Sequence, residues 1–106
     1  MRRGEVWWAE LPSPIGRRPV LLLSRNAAYK VRTSVTVAAV TRTIRNIAVE
    51  VRLGQENGMP TECVVNLDNI LTIPKSRLTE RIAALSDEKM RAVDKAVVFA
   101  LDLKTE

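Results

Sequence analysis

Arginines placed at the ends of short apolar runs are the side chains of this sequence best suited to chemistry. The stretch "GRRPVLLLSRN" (16–26) sets Arg17 and Arg18 before a run of branched apolar residues and Arg25 after it. A guanidinium matches a phosphate group in a bidentate geometry and stays protonated at neutral pH. The pattern therefore favours phosphate binding at the ends of a buried strand.

The composition excludes several kinds of active site. The chain has no histidine and a single cysteine, Cys63. It can therefore form no Ser-His-Asp or Cys-His pair, no intramolecular disulfide, and no zinc site of nitrogen and sulfur ligands. Arginine, lysine, carboxylates, hydroxyls and backbone amides are left to move protons or stabilise charge. We expect no metal and no cofactor, and we expect Cys63 to be a small core residue.

The positive charge is concentrated in the first half of the chain. Residues 1–53 hold ten Lys and Arg against three acids, whereas residues 54–106 hold seven against nine. Such asymmetry favours a cationic face for a polyanion, most commonly a nucleic acid. The alternative is an ordinary solvated basic surface.

The length of 106 residues and the 46% hydrophobic content predict a single domain, 1–106, with one core. No apolar run is long enough to span a bilayer, and the N-terminus lacks the features of a secretory signal. We therefore expect a cytoplasmic protein that does not associate with membranes.

Short runs of β-branched and aromatic residues, separated by turn residues, dominate the first three quarters of the chain and predict a small antiparallel barrel. The predicted strands are 5–11, 19–25, 34–42, 47–53, 62–68, 69–73 and 79–85. In the strand 34–42 neither face is polar, which predicts cover on both sides, by the core and by a helix or a second subunit. Thr41 then lies where this strand leaves the core.

The last segment changes to a helical period. Ser86 is a suitable N-cap, and Met90, Val93, Val97 and Leu101 recur at intervals of three and four. A helix of about 17 residues is expected to cover one side or end of the barrel.

In this order, five stretches resemble the MazF/PemK family of toxin endoribonucleases, and together they cover nearly the whole chain. They are "RRGEVWWAEL" (2–11), "RPVLLLSRN" (18–26), "VTVAAVT" (35–41), "CVVNLDNILTIPKSRL" (63–78) and "LSDEKMRAVDKAV" (85–97). The resemblance implies an SH3-like antiparallel β-barrel with a C-terminal α-helix, and a homodimer. It also implies metal-independent, sequence-selective cleavage of single-stranded RNA to 2′,3′-cyclic phosphate and 5′-hydroxyl ends.

The same resemblance places Arg18 and Thr41 on the catalytic arginine and threonine of the family. Arg18 would stabilise the charge of the reacting phosphate, with a possible part in acid chemistry, and Thr41 would hold a phosphate oxygen. The loop "LPSPIGRR" before Arg18 is shorter than in many members. It has no carboxylate between Glu10 and Arg18, so the general base is left unassigned. The resemblance further implies neutralisation by an antitoxin whose acidic, extended segment occupies the RNA groove.

Five further residues are predicted to contact RNA. They are Arg17, Arg25, Asn26, Arg42 and Asn69. Each has an ordinary alternative, because arginines at strand ends are often only solvated and an asparagine at a strand start often makes a turn. Trp7 and Trp8 are expected to pack rather than to stack on bases.

Two other functions fit the sequence. A non-catalytic nucleic-acid-binding barrel would use the same basic face without cutting RNA. A gyrase poison of the CcdB type would share the fold, but the terminal "ALDLKTE" lacks the aromatic ending associated with those poisons.

Overall fold

Six antiparallel strands and a C-terminal helix form the fold. The computed structural model describes residues 1–104, so the last two residues of the predicted domain 1–106 and of "ALDLKTE" lie outside the described residues. The strands are β1 (Glu5–Glu10), β2 (Arg17–Leu22), β3 (Ser34–Thr41), β4 (Glu50–Leu53), β5 (Cys63–Pro74) and β6 (Leu78–Ala84); the helices are α1 (Ala28–Val31) and α2 (Asp87–Leu101). The strand order β4-β5-β3-β2-β1-β6 makes one sheet, which curls into a half-barrel. The predicted fold class is confirmed.

Both faces of the central strands are buried, as predicted for 34–42. One face, which includes Leu21 and Ala38, packs against Val93 of α2. The opposite face, which includes Val20 and Val37, packs against Tyr29 of α1. We call these the helix face and the α1 face of the sheet. Because side chains alternate along a strand, each residue of β2 and β3 can be assigned to one of them.

Helix α2 begins where its sequence predicts. The Ser86 hydroxyl accepts a hydrogen bond from the Lys89 N–H at 3.1 Å, and Asp87 and Glu88 occupy the positive end of the helix dipole. Val93 and Ala96 are buried against the sheet. Leu101, expected on the same face, is exposed, because the helix ends there and Asp102 adopts a left-handed conformation.

The predicted strands 62–68 and 69–73 are one strand, β5, and this part of the prediction is wrong. Pairing with β3 shifts between Ala38, which lies opposite Ile70, and Ala39, which lies opposite Asn66. Residues 67–69 therefore form a bulge, which interrupts the period of the side chains without ending the strand. The sequence stretch 25–30, predicted as a turn, instead leads into the single turn of α1. Within residues 1–104, no helix is long and apolar enough to cross a membrane.

Candidate active site and nucleic-acid interface

Arg18 and Thr41 meet at one end of the sheet. Strands β2 and β3 pair so that Val20 lies opposite Ala39. Two residues further along each antiparallel strand, the same register sets Arg18 opposite Thr41, and both belong to the α1 face. The predicted catalytic pair is thus brought together by sheet register, from positions 23 residues apart in the chain.

Two neighbouring clefts share these side chains. One has a volume of about 560 Å³ and the other about 290 Å³, and Ile15, Arg18 and Thr41 line both. The larger cleft also takes Trp8, Arg17 and Arg42, together with residues 59–63 in part. The smaller cleft extends to Thr43, Arg45, Asn66 and Asn69. Arg18 and Thr41 therefore stand at the junction of a continuous groove.

The Thr41 hydroxyl is oriented by the backbone that follows it. Its Oγ1 accepts a hydrogen bond from the Thr43 N–H at 3.2 Å. With one lone pair occupied in this way, the hydroxyl proton remains available to a ligand oxygen in the groove. Thr41 is only half-buried, so such a ligand can reach it.

The groove carries cations and no acid. Arg18, Arg42 and Arg45 are exposed, and among residues 1–104 none of the three has a carboxylate within ion-pair distance. The described residues that line the two clefts include no Asp or Glu. In that part of the chain, no His, Cys, Asp or Glu side chains gather as a possible metal-binding group. The groove is therefore built to attract an anion.

The loop that carries Arg45 is fixed by a single carboxylate. Glu50 Oε1 accepts hydrogen bonds from the backbone N–H groups of Arg45 at 2.9 Å and Asn46 at 3.0 Å. Asn46 itself adopts a left-handed conformation, with a φ of 57°. Glu50 thus holds the start of this turn and, with it, the backbone of Arg45 beside the smaller cleft.

Arg17 differs from these free arginines. Its guanidinium lies 4.2 Å from the centre of the Trp8 ring and within 3.5 Å and 3.6 Å of Glu10 and Glu80. All the groups are partly exposed, so each ion pair contributes little stability. Together, however, they place the Arg17 guanidinium over the Trp8 ring at the wall of the larger cleft. Trp7 instead packs on the α1 face, as predicted.

A short closed loop delivers Arg17 and Arg18 to the groove. The Leu11 N–H donates to the Gly16 carbonyl at 3.0 Å, and the Ile15 N–H donates to the Pro12 carbonyl at 3.1 Å. Gly16 has φ of +69°, a left-handed conformation that glycine adopts without strain. The loop therefore enters β2 in a defined direction.

The β5 bulge brings Asn69 to the smaller cleft. Asn69 is exposed, and Asn66 lies beside it in the lining, with its Oδ1 accepting from the Asp68 N–H at 2.9 Å. Asn66, Thr43 and Thr61 were not singled out by the sequence analysis. The broken period at 67–69 was the available signal for Asn66, and the sequence analysis placed there the boundary between two strands, 62–68 and 69–73.

Cys63 lines the larger cleft but is almost fully buried, as expected for a core residue. Burial raises the pKa of the Cys63 thiol, and the negative charge of Glu62 adds to that effect. The thiol is therefore kept protonated at neutral pH, which makes it a poor nucleophile.

Arg25 and Asn26 are not brought to the groove. They follow the last residue of β2, at the opposite end of the strand from Arg18. The Asn26 side chain accepts a hydrogen bond from the Arg3 N–H at 2.6 Å. Of the seven predicted site residues, five line the two clefts: Arg17, Arg18, Thr41, Arg42 and Asn69.

Comparison with known proteins gives the family. Residues 2–101 match the family described as PemK-like, MazF-like toxin of type II toxin-antitoxin system. This chain belongs to that family. A curated relative, the probable endoribonuclease MazF5 of Mycobacterium tuberculosis, is 43% identical over 101 residues, which cover 94% of this chain and 92% of the relative. The resemblance inferred from the ordered sequence stretches is thereby confirmed.

Solved structures of the MazF-like family share the whole fold. The Mycobacterium tuberculosis toxin MazF-mt6 superposes with a TM-score of 0.88 at 36% identity, covering 95% of this chain and 99% of the other. A mycobacterial endoribonuclease in complex with its cognate antitoxin also gives 0.88, at 28% identity, covering 100% and 99%. The half-barrel and its C-terminal helix are thus the MazF-like architecture.

Proposed function

We propose that this MazF-like protein is a toxin endoribonuclease that cleaves single-stranded RNA at selected sequences without a metal ion. The observation that carries the proposal is the junction of Arg18 and Thr41 in an acid-free cationic groove. The relative MazF5, a probable endoribonuclease, supports the proposal.

In the proposed reaction the RNA supplies its own nucleophile. The 2′-oxygen attacks the adjacent phosphorus, the bond from phosphorus to the 5′-oxygen breaks, and a 2′,3′-cyclic phosphate and a 5′-hydroxyl are formed. The 2′-hydroxyl loses a proton and the 5′-oxygen gains one. The protein has to align the attack and stabilise the extra negative charge on the phosphate oxygens.

Arg18 and Thr41 suit these tasks. The guanidinium of Arg18, free of carboxylates among the described residues, can bind two phosphate oxygens at once. The hydroxyl of Thr41 can donate to a phosphate oxygen while its own oxygen accepts from Thr43. Since a guanidinium stays protonated at neutral pH, Arg18 is a charge stabiliser rather than a general base.

The rest of the groove is proposed to hold and read the RNA strand. Arg17 and Arg42 in the larger cleft and Arg45 in the smaller cleft would contact phosphates on either side of the cut. Asn69, with donors and acceptors exposed on the bulge, would read a base edge. Because the loop 11–16 is short, it offers few side chains that could contact bases.

We further propose a cytoplasmic homodimer neutralised by an antitoxin. The net charge of +5 and the acid-free groove suit an acidic, extended segment that competes with RNA. The mycobacterial relative solved with its cognate antitoxin supports a protein partner of this kind. Sedimentation of the purified protein, alone and with the antitoxin, measures both assembly states.

The direct test is cleavage of a long RNA of mixed sequence in EDTA, with mapping of the cut sites and the chemistry of the ends. Arg18→Ala should lower the rate by about 10²-fold or more. Arg91→Ala, on the exposed surface of α2, is the matched control and should cut like the unaltered protein. Discrete cuts with cyclic phosphate ends support the proposal, and intact RNA in the presence of folded protein overturns it.

The same experiment separates the two alternatives. A non-catalytic binding barrel would bind the RNA in a salt-dependent way and leave it intact. A CcdB-type poison would inhibit gyrase supercoiling, which is measured in a parallel assay.

A further inference from the structure

A second group of cations lies at the end of the sheet away from the groove. We call Arg25, Lys30 and Arg32, all exposed and all around α1, the α1 patch. Two half-buried cations flank it, Arg3 and Lys75. The sequence contains no acid from residue 11 to residue 49, so nothing within the α1 segment offsets its charge.

Hydrogen bonds hold the flanking cations against this segment. Arg3 donates from its backbone N–H to the Asn26 side chain and from its Nε to the Leu23 carbonyl, at 2.6 Å and 3.1 Å. The Lys75 ammonium donates to the Tyr29 carbonyl at 2.8 Å, and its backbone N–H donates to the Thr33 carbonyl at 2.8 Å. These bonds fix Arg3 and Lys75 beside the exposed cations of the patch.

The charges of the exposed cations in the patch do not stabilise the fold through ion pairs within the described residues. In the described part of the chain, Arg25, Lys30 and Arg32 take part in no ion pair. Arg3 alone of the group is paired, with Asp94 of α2 at 2.7 Å. Uncompensated like charges repel one another, so their proximity costs some stability that binding a polyanion would offset.

The α1 patch and the catalytic groove lie along one face of the sheet. Arg18, Val20 and Leu22 alternate onto the α1 face of β2, and Tyr29 of α1 packs in the same cluster as Val20 and Leu22. The six residues of β2 separate the two sites by about 20 Å. A single strand leaving the groove along this face therefore meets the patch.

We infer that the α1 patch is a second RNA contact, which binds the phosphate backbone of the substrate beyond the cleaved segment without reading its sequence. This inference rests on the proposed ribonuclease function and assigns a role to Arg25, which the groove does not use. It predicts a preference for long RNA over short RNA that carries the same cleavage sequence. The patch would contribute through charge, because phosphate contacts are not sequence-specific.

The test is the triple variant Arg25→Gln, Lys30→Gln and Arg32→Gln. Its matched control is Arg91→Gln, Lys95→Gln and Lys104→Gln, which removes the same charge from exposed positions on and after α2. Cleavage is measured on two RNAs, one of about five nucleotides, near the lower end of what one small barrel covers, and one several times longer. Urea unfolding shows that both variants are folded.

The patch variant should cut the short RNA like the unaltered protein and lose about 10-fold or more in kcat/KM on the long RNA. The control should cut both normally. Equal losses on both RNAs, or no loss on either, would overturn the second contact.

Measuring RNA binding without cleavage tests the second contact independently of the ribonuclease proposal. In an Arg18→Ala background, the salt dependence of long-RNA binding should fall by about 2 in its logarithmic slope when the three charges are removed. If the unaltered protein cuts no RNA but this slope falls, the ribonuclease proposal fails and the second contact stands. An unchanged slope, together with lost binding to an acidic peptide, would assign the patch to a protein partner and overturn the RNA contact.

Discussion

Arg18 at the start of β2 and Thr41 at the end of β3 lie opposite each other in a register fixed by the pairing of Val20 with Ala39. A one-residue slip of that register would turn one of them to the other face of the sheet. Buried residues on both faces, such as Leu21 and Leu22, resist such a slip. The stability of the barrel and the geometry of the candidate active site are therefore the same property of this strand pair.

Removing the Thr41 hydroxyl tests its role as a donor. Thr41→Val keeps the shape and β-branching of the side chain but loses the proton, so the cleavage rate should fall by about 10²-fold. Thr41→Ser keeps the proton and should retain most of the rate. Single-turnover cleavage measures both. Equal rates for the valine and serine variants would show that Thr41 acts only through packing.

Changing Asn69 should alter which sequences are cut rather than the chemical step. An alanine there removes the donors and acceptors proposed to read a base, at about 1–3 kcal/mol of discrimination. Asp68→Ala, on the same bulge but outside the cleft lining, is the control. Sequencing of the cut ends on a mixed RNA measures the effect. An unchanged cleavage motif in Asn69→Ala would remove this residue from recognition.

At Gly16, backbone conformation decides how much a substitution destabilises the protein. A Cβ added there meets nothing within 4 Å, but φ is +69°. Gly16→Ala should therefore destabilise the protein by about 1 kcal/mol through backbone strain alone. Gly16→Asn, which tolerates this conformation better, should cost less. Urea unfolding compares the two, and an equal cost would point to some other effect of the side chain.

Tyr29 should make the protein sensitive to alkali. Burial raises the pKa of Tyr29 from its ordinary 10.0 to about 12, against a smaller opposing effect of the positive charge of Arg3. The unfolded chain loses this proton near pH 10 while the folded protein keeps it. The contribution of Tyr29 to stability is therefore constant below pH 10 and declines as the pH rises from about 10 to about 12.

The variant Tyr29→Phe isolates this effect. The Tyr29 hydroxyl is buried and has no hydrogen-bond partner among residues 1–104, so its removal should be neutral or slightly stabilising at pH 7. Between pH 8 and pH 11, Tyr29→Phe should lose about 1 kcal/mol less than the unaltered protein. Equal losses in urea unfolding would place the alkaline sensitivity elsewhere.

Much of the fold could be predicted from the sequence, because the signals for its helix and strands are local. Two local signals, the Ser86 cap and the spacing of Val93 and Val97, predict the helix. The β-branched stretch 34–42 likewise predicts a strand without reference to the rest of the chain. The order of the resembling stretches then supplied the topology. The resemblance also named Arg18 and Thr41 as candidates, whereas their pairing across β2 and β3 could be seen only in the register of the two strands.

The failures of the sequence analysis have one physical cause. A bulge and a single helical turn are set by long-range packing, not by local periodicity. The sequence analysis therefore divided β5 into two strands between residues 68 and 69, and it predicted a turn over 25–30. Arg18 precedes the predicted strand 19–25 and Asn26 follows it, so the sequence pattern already sets these two residues at opposite ends of that strand.

The bulge in β5 places a residue of the hydrophobic core next to two exposed residues. Leu67 within it is fully buried and anchors the chain, while Asp68 and Asn69 point outward. Substitutions at these two positions leave the strand pairing on either side of the bulge unchanged. If Asn69 reads a base as proposed, a point mutation at this exposed position of the bulge changes the target sequence while the buried ladder, and with it the fold, stays intact.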